Sequence, residues 1–188
     1  MIKLLRILLC SGIFSVGLLA NANAALETRL GGLAVYDTDL NITWLADANY
    51  AKTSGYDADG LMNWYDANTW AASLNIGSTS NWRLPEVNEM IHLYNVEDIS
   101  ISSPNLFVNI HFFSYWTATE FEHIPLNAWF FGMVYGLYDW TTKNAALPAW
   151  AVHDGDVGAA LVPEPETYAM LSIGLLMLLG FRRRLKRY

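Results

Sequence analysis

Trp82-Arg83-Leu84-Pro85-Glu86-Val87-Asn88-Glu89-Met90-Ile91-His92-Leu93-Tyr94 is the stretch whose reading decides the fold. Proline fixes its own φ and has no N–H, so Pro85 suits the first position of a helix. Val87, Met90, Ile91 and Tyr94 then recur at helical spacing and predict one buried face. Upstream, Asn63 with Asp66 three residues later reads as a helix start in the manner of a capping box. Trp64, Ala67, Ala71 and Leu74 line one side of that helix. Elsewhere β-branched and aromatic residues dominate short runs. Residues 33–36 and 42–45 predict two strands, with Asp37-Thr38-Asp39-Leu40-Asn41 supplying the turn between them. Residues 115–119, 128–131 and 149–152 predict further strands, and 46–62 reads as irregular. Two helices among short antiparallel strands and long loops define an α+β domain.

Both ends of the chain read differently from this middle. Lys3 and Arg6 precede an apolar run over 7–20, and Ala22-Asn23-Ala24 has the small-residue pattern of a cleavage site, so a signal peptide over 1–24 and a mature start at Ala25 are predicted. At the other end stand Val162-Pro163-Glu164-Pro165, an apolar stretch over 168–181, and Arg182-Arg183-Arg184 with Lys186 and Arg187. Fourteen helical residues reach about 21 Å against roughly 30 Å of hydrocarbon, a short transmembrane helix held by its cationic end on the cytoplasmic side. An exported domain over 25–161 and a sorting segment over 162–188 complete the expected organisation.

The exported region is acidic. Of the basic side chains only Arg29, Lys52, Arg83 and Lys143 fall within it, against sixteen Asp and Glu. Nucleic acid is excluded as a partner, because phosphate binding needs clustered cations. Solubility or calcium is the natural counterpart of such a field. Cys10, the sole cysteine, precedes Ala25, so this region has no disulfide, thiolate nucleophile or cysteine zinc site. All eight tryptophans lie between Trp44 and Trp150, which suits a core built on large aromatics.

The Val-Pro-Glu-Pro segment, apolar stretch and arginine triplet resemble a PEP-CTERM sorting signal. That resemblance implies an inner-membrane-anchored precursor processed by signal peptidase and exosortase, destined for the cell surface or a biofilm matrix rich in exopolysaccharide. A second resemblance spans about residues 31–157. Tyr36-Asp37, Thr43-Trp44, Asp47-Ala48-Asn49-Tyr50-Ala51, Asn63-Trp64, Trp82-Arg83-Leu84-Pro85, Tyr115-Trp116-Thr117 and Ala149-Trp150-Ala151-Val152 are similar to the Lcl C-terminal domain family. It implies a C-type-lectin-like fold and a surface-exposed adhesive or binding module with no catalytic residues. His153 stands where such sequences usually carry Arg.

Candidate chemistries are few. Asp57-Ala58-Asp59-Gly60 and Asp154-Gly155-Asp156 are candidate calcium loops, each also an ordinary turn. Asp37 to Asn41 has the oxygen spacing of a calcium loop's start, but Ile42 and Ala48 occupy its required Gly and Glu places, leaving a hairpin turn. The lectin sugar-binding triplets are absent. His92, His111, His123 and His153 lack ligand spacing and read as ordinary histidines. Glu120 and Glu122, or Asp154, are the acids a secreted polysaccharide hydrolase would need, with nothing in sequence to separate their roles. Trp129, Trp140 and Trp150, near Tyr135 and Tyr138, are candidates for stacking on sugar rings. Trp140 in a Gly/Tyr/Asp segment, with Tyr138, is the pair expected to be exposed. Arg83 is expected to bridge carboxylates as a structural clamp rather than contact a ligand. A non-enzymatic surface or matrix protein is the reading these residues favour, with a purely structural matrix component as the alternative.

Overall fold

A computed structural model describes residues 25–158. The predicted signal peptide with Ala22 and Ala24, and the sorting segment with its apolar helix and arginine triplet, lie outside the described residues. Among the described residues no helix is long and apolar enough to cross a membrane. The strands are β1 (Leu26–Arg29), β2 (Ala34–Asp37), β3 (Ile42–Leu45), β4 (Leu61–Met62), β5 (Tyr115–Glu120), β6 (Asn127–Gly132), β7 (Leu137–Thr142), β8 (Leu147–Pro148) and β9 (Val152–Asp154). The helices are α1 (Tyr50–Thr53), α2 (Trp64–Ser73) and α3 (Val87–Asn95). Helices and antiparallel sheets make the fold α+β, with three helices where the sequence predicts two. The extra one, α1, is a single turn among Asn, Gly and Asp residues, too short to show a period.

Three antiparallel sheets arrange these elements, in the orders β1-β2-β3-β9, β4-β8 and β5-β6-β7. The β2–β3 hairpin closes on its first turn residue. Asp37 Oδ1 accepts from the N–H groups of Asp39 and Leu40, each at 3.0 Å, so this carboxylate oxygen is spent on a turn. β3 pairs on both edges, and all four of its residues are buried, so both of its faces are covered.

The Trp82-Arg83-Leu84-Pro85 segment is a junction. Arg83 and Val152 exchange backbone hydrogen bonds at 2.8 Å in both directions, fixing the approach to α3 against β9. The Pro85 carbonyl accepts from Ala118 N–H in β5. Pro85 therefore lies before the helix rather than at its first position, and Glu86 is the cap, its N–H donating to the Glu89 carboxylate at 2.7 Å. Met90 and Leu93 are the fully buried residues of α3, while Val87, Ile91 and Tyr94 are half-buried. The stripe is rotated toward Leu93 because α3 packs on β5 and β6. In α2 the Asn63 side chain accepts from Asp66 N–H at 3.0 Å, and Ala67, Trp70 and Ala71 face inward.

The core is aromatic. Trp44, Trp70, Trp82, Trp116 and Trp150 are fully buried with Tyr115, Phe107 and Phe131. Trp150 is the hub: Phe107, Trp44 and Tyr115 ring centroids lie 5.0, 5.3 and 5.4 Å from it. Its indole N–H donates to the Leu45 carbonyl at 2.8 Å, and Trp116 donates likewise to Met62.

Candidate functional site

Strand β7, at the edge of its sheet, carries two exposed aromatics, Tyr138 and Trp140. The sequence places Trp140 in a loop; it lies in a strand, one whose residues are nearly all exposed and so show no buried–exposed alternation. Register sets Trp140 opposite Trp129 and Tyr138 opposite Phe131. Trp140 stacks on Phe121 at 4.8 Å with the rings inclined by 19°, Phe121 meets Trp129 edge-on at 5.5 Å, and Trp129 touches Tyr138 at 5.8 Å. Trp140 is 40% and Tyr138 51% exposed, so this is an ordered but open platform. Trp150, the third tryptophan considered for stacking, is wholly buried and belongs to the core. Tyr138 also borders a groove of about 500 Å³ lined by Phe112, Phe113, Phe130, Tyr135 and Leu137. Phe112 and Phe113 enter this surface from a loop that carries no hydrophobic period.

The basic side chains are largely committed to structure. Arg83 grips the Glu89 carboxylate with two N–H groups at 2.7 and 2.8 Å and meets Asp154 Oδ1 at 2.6 Å. These hydrogen bonds, Glu89's foremost, hold its guanidinium above its ordinary pKa. Arg29 pairs with Asp156 at 2.6 Å and with Glu27, joining β1 to the segment after β9. Lys143 is buried beneath the Trp64 ring and reaches Glu120 at 2.7 Å.

These pairs rearrange the sequence-derived candidates. Asp154 and Asp156, the candidate calcium residues of one loop, each pair with an arginine. Asp57 Oδ1 accepts from Asp59 and Gly60 N–H groups, and Asp59 Oδ1 from Leu61 N–H, so that loop is a hydrogen-bonded turn. Glu120 closes β5 and is bridged to Lys143, whereas Glu122 follows in the next turn, so the two acids do not share a strand face. His153 does not supply an arginine-like pair; its ring meets Trp82 edge-on at 5.6 Å.

One convergence was not legible in sequence. His92 in the last turn of α3, Glu97 just beyond it and Asp37 at the end of β2 bring one ligand-type atom each to within 4.8 Å of the others. Burial, then the Asp37 charge, push the Glu97 carboxyl above its ordinary pKa, partly countered by His92. Their signal is a fold contact between distant segments, and neither spacing nor period reveals it.

Residues 33–153 match the model of the Lcl C-terminal domain family, which takes in the arginine junction, the aromatic hub and the β5–β7 sheet. The chain belongs to the Lcl C-terminal domain family. Membership indicates an extracellular or surface protein. A search of the curated proteins finds no match to the chain. Within this Lcl C-terminal domain, Trp140 and Tyr138 on β7 are exposed, and Glu120 and Asp154 each pair with a basic side chain.

Proposed function

We propose that the chain is a non-catalytic surface or extracellular-matrix protein that binds carbohydrate, or another matrix polymer, on the β7 platform. The observation that carries this reading is the Trp140–Phe121 stack beside exposed Tyr138. Aromatic faces dock the apolar faces of sugar rings, and rings already braced by one another lose little freedom on binding. The surplus of carboxylates disfavours polyanionic glycans, so the fitting ligand is neutral or amino-bearing. The lectin-like fold implied by the family resemblance supports the same reading.

The proposed route uses both chain ends. Signal peptidase removes residues 1–24, the segment from Val162 holds the precursor at the inner membrane, and exosortase releases or transfers it to the surface or matrix. Mass spectrometry of native membrane and released fractions tests this: a species beginning at Ala25 and ending near Val162 supports it, and an uncut cytosolic chain overturns it.

For binding, the test is a glycan array probed with the wild type and with Trp140→Ala and Tyr138→Ala variants that keep the wild-type melting profile. Recognition of a neutral or amino-bearing glycan by the wild type, lost in both variants, supports the proposal. Absence of affinity for the producer's own polysaccharide, with biofilm cohesion still dependent on the protein, favours a purely structural matrix role instead.

A further inference from the structure

We infer that Asp37, His92 and Glu97 form a binding site for a first-row divalent metal ion of the zinc class, one that ties the β2–β3 hairpin to the end of α3. His92 Nε2 lies 3.5 Å from Glu97 Oε1 and 3.9 Å from Asp37 Oδ2. All three atoms are buried and none has a hydrogen-bond partner. The Asp37 side chain is 0% exposed and that of Glu97 9%, so two carboxylate oxygens converge on His92 away from water. Buried carboxylates without a partner are costly unless something positive sits beside them.

The spacing favours an ion over a shared proton. A proton bridge needs heavy atoms within roughly 2.7–3.2 Å, and both separations from His92 exceed that. A zinc-class ion about 2.1 Å from each ligand holds tetrahedral neighbours about 3.4 Å apart, which the His92–Glu97 pair matches at 3.5 Å and the His92–Asp37 pair approaches at 3.9 Å. Small rotations of Asp37 and Glu97 close the remainder.

The surroundings fix each ligand. The other oxygen of Asp37 is held by the Asp39 and Leu40 N–H groups, which orients Oδ2 inward. The N–H groups of Val96 and Glu97 both donate to the His92 carbonyl at 2.8 and 3.3 Å, wrapping Glu97 back beside the imidazole. The His92 side chain is 18% exposed, giving an entry path and a place for a water as fourth ligand. One imidazole nitrogen with two carboxylates suits zinc, cobalt or nickel; calcium takes six to eight oxygens and magnesium a nearly all-oxygen octahedron. With no cysteine among the described residues, such an ion would supply a cross-link that disulfides cannot.

The test uses the full chain purified in detergent, stripped with a chelator and titrated with zinc by calorimetry and by thermal melting. The expected result is one zinc per chain with a melting temperature that climbs with zinc concentration, and no shift from calcium or magnesium at equal concentration. Glu97→Gln and His92→Gln, each checked for the wild-type near-ultraviolet tryptophan spectrum, should lose at least tenfold in zinc affinity. His111→Gln and His123→Gln should lose none. Absence of stoichiometric zinc binding in the wild type, binding unchanged in Glu97→Gln and His92→Gln, or a preference for calcium would each overturn the assignment.

Discussion

Arg83 and Glu97 show two opposite fates of a charge within this acidic domain. Arg83 has five N–H donors in a fixed fork, and its contacts with Glu89, Asp154 and the Leu84 carbonyl use them where α3, β9 and the segment leading into α3 meet. Because Asp154 is mostly exposed, that half of the contact is screened, and the Glu89 half carries most of the effect. Arg83→Ala should therefore lower unfolding free energy by about 1–3 kcal/mol, read from the urea midpoint at constant m. Arg83→Lys should recover only part of it, and carbohydrate binding per folded molecule should not change. Glu97 stands in the opposite balance. Its pKa is raised in the folded state by burial and by Asp37, with Asp39 adding to the push and His92 opposing it. Between the ordinary glutamate value and the raised one, the native state keeps a proton that the unfolded chain has released. Stability consequently falls as pH rises through that window. In chelator, Glu97→Gln should be more stable than the wild type near neutrality, and the two urea midpoints should converge in acid below the ordinary glutamate pKa.

At the scale of elements, the β6–β7 hairpin positions the platform, and its turn depends on Gly136. This residue has φ of +67°, and its N–H donates to the Gly132 carbonyl at 2.9 Å. A Cβ here would come within 2.5 Å of the Tyr94 ring, which leans on Phe131. Gly136→Ala should cost about 1–3 kcal/mol in a chemical melt, from left-handed backbone strain plus displacement of that ring. It should also weaken any ligand held by Tyr138. The elements differ in how plainly the sequence declares them. The β2–β3 hairpin is legible because turn-forming Asp and Asn separate two apolar runs, and α2 because Asn63 and Asp66 mark its start. Strand β7 is not, since an edge strand with exposed residues on both faces has no period of two. Strand β1 is likewise missed: Leu26 is its one fully buried residue, and its pairing with β2 decides its conformation. The Asp37, His92 and Glu97 cluster lies further out of reach, because packing alone unites a hairpin with a helix end.

Across the whole molecule, stability rests on a few large rings and on cations used as internal ties. Arg29, Arg83 and Lys143 each bind a carboxylate distant in sequence, so three of the four Lys and Arg side chains among the described residues tie separate parts of the fold together. Trp150 joins Trp44, Phe107, Tyr115 and the Leu45 carbonyl. Trp150→Ala should remove about 3–5 kcal/mol, a large share of the 5–15 kcal/mol typical of a domain. Calorimetry should show the cooperative transition weakened or lost, with the near-ultraviolet aromatic signal collapsing alongside it. The ring cluster at Trp150 also has a bearing on how the protein matures. Its cross-braces are faces and edges of indoles rather than sulfur bridges, so the domain has no oxidative step to complete. It should regain its native state equally well in strong reductant and in air, indifferent to whichever thiol chemistry its surroundings offer.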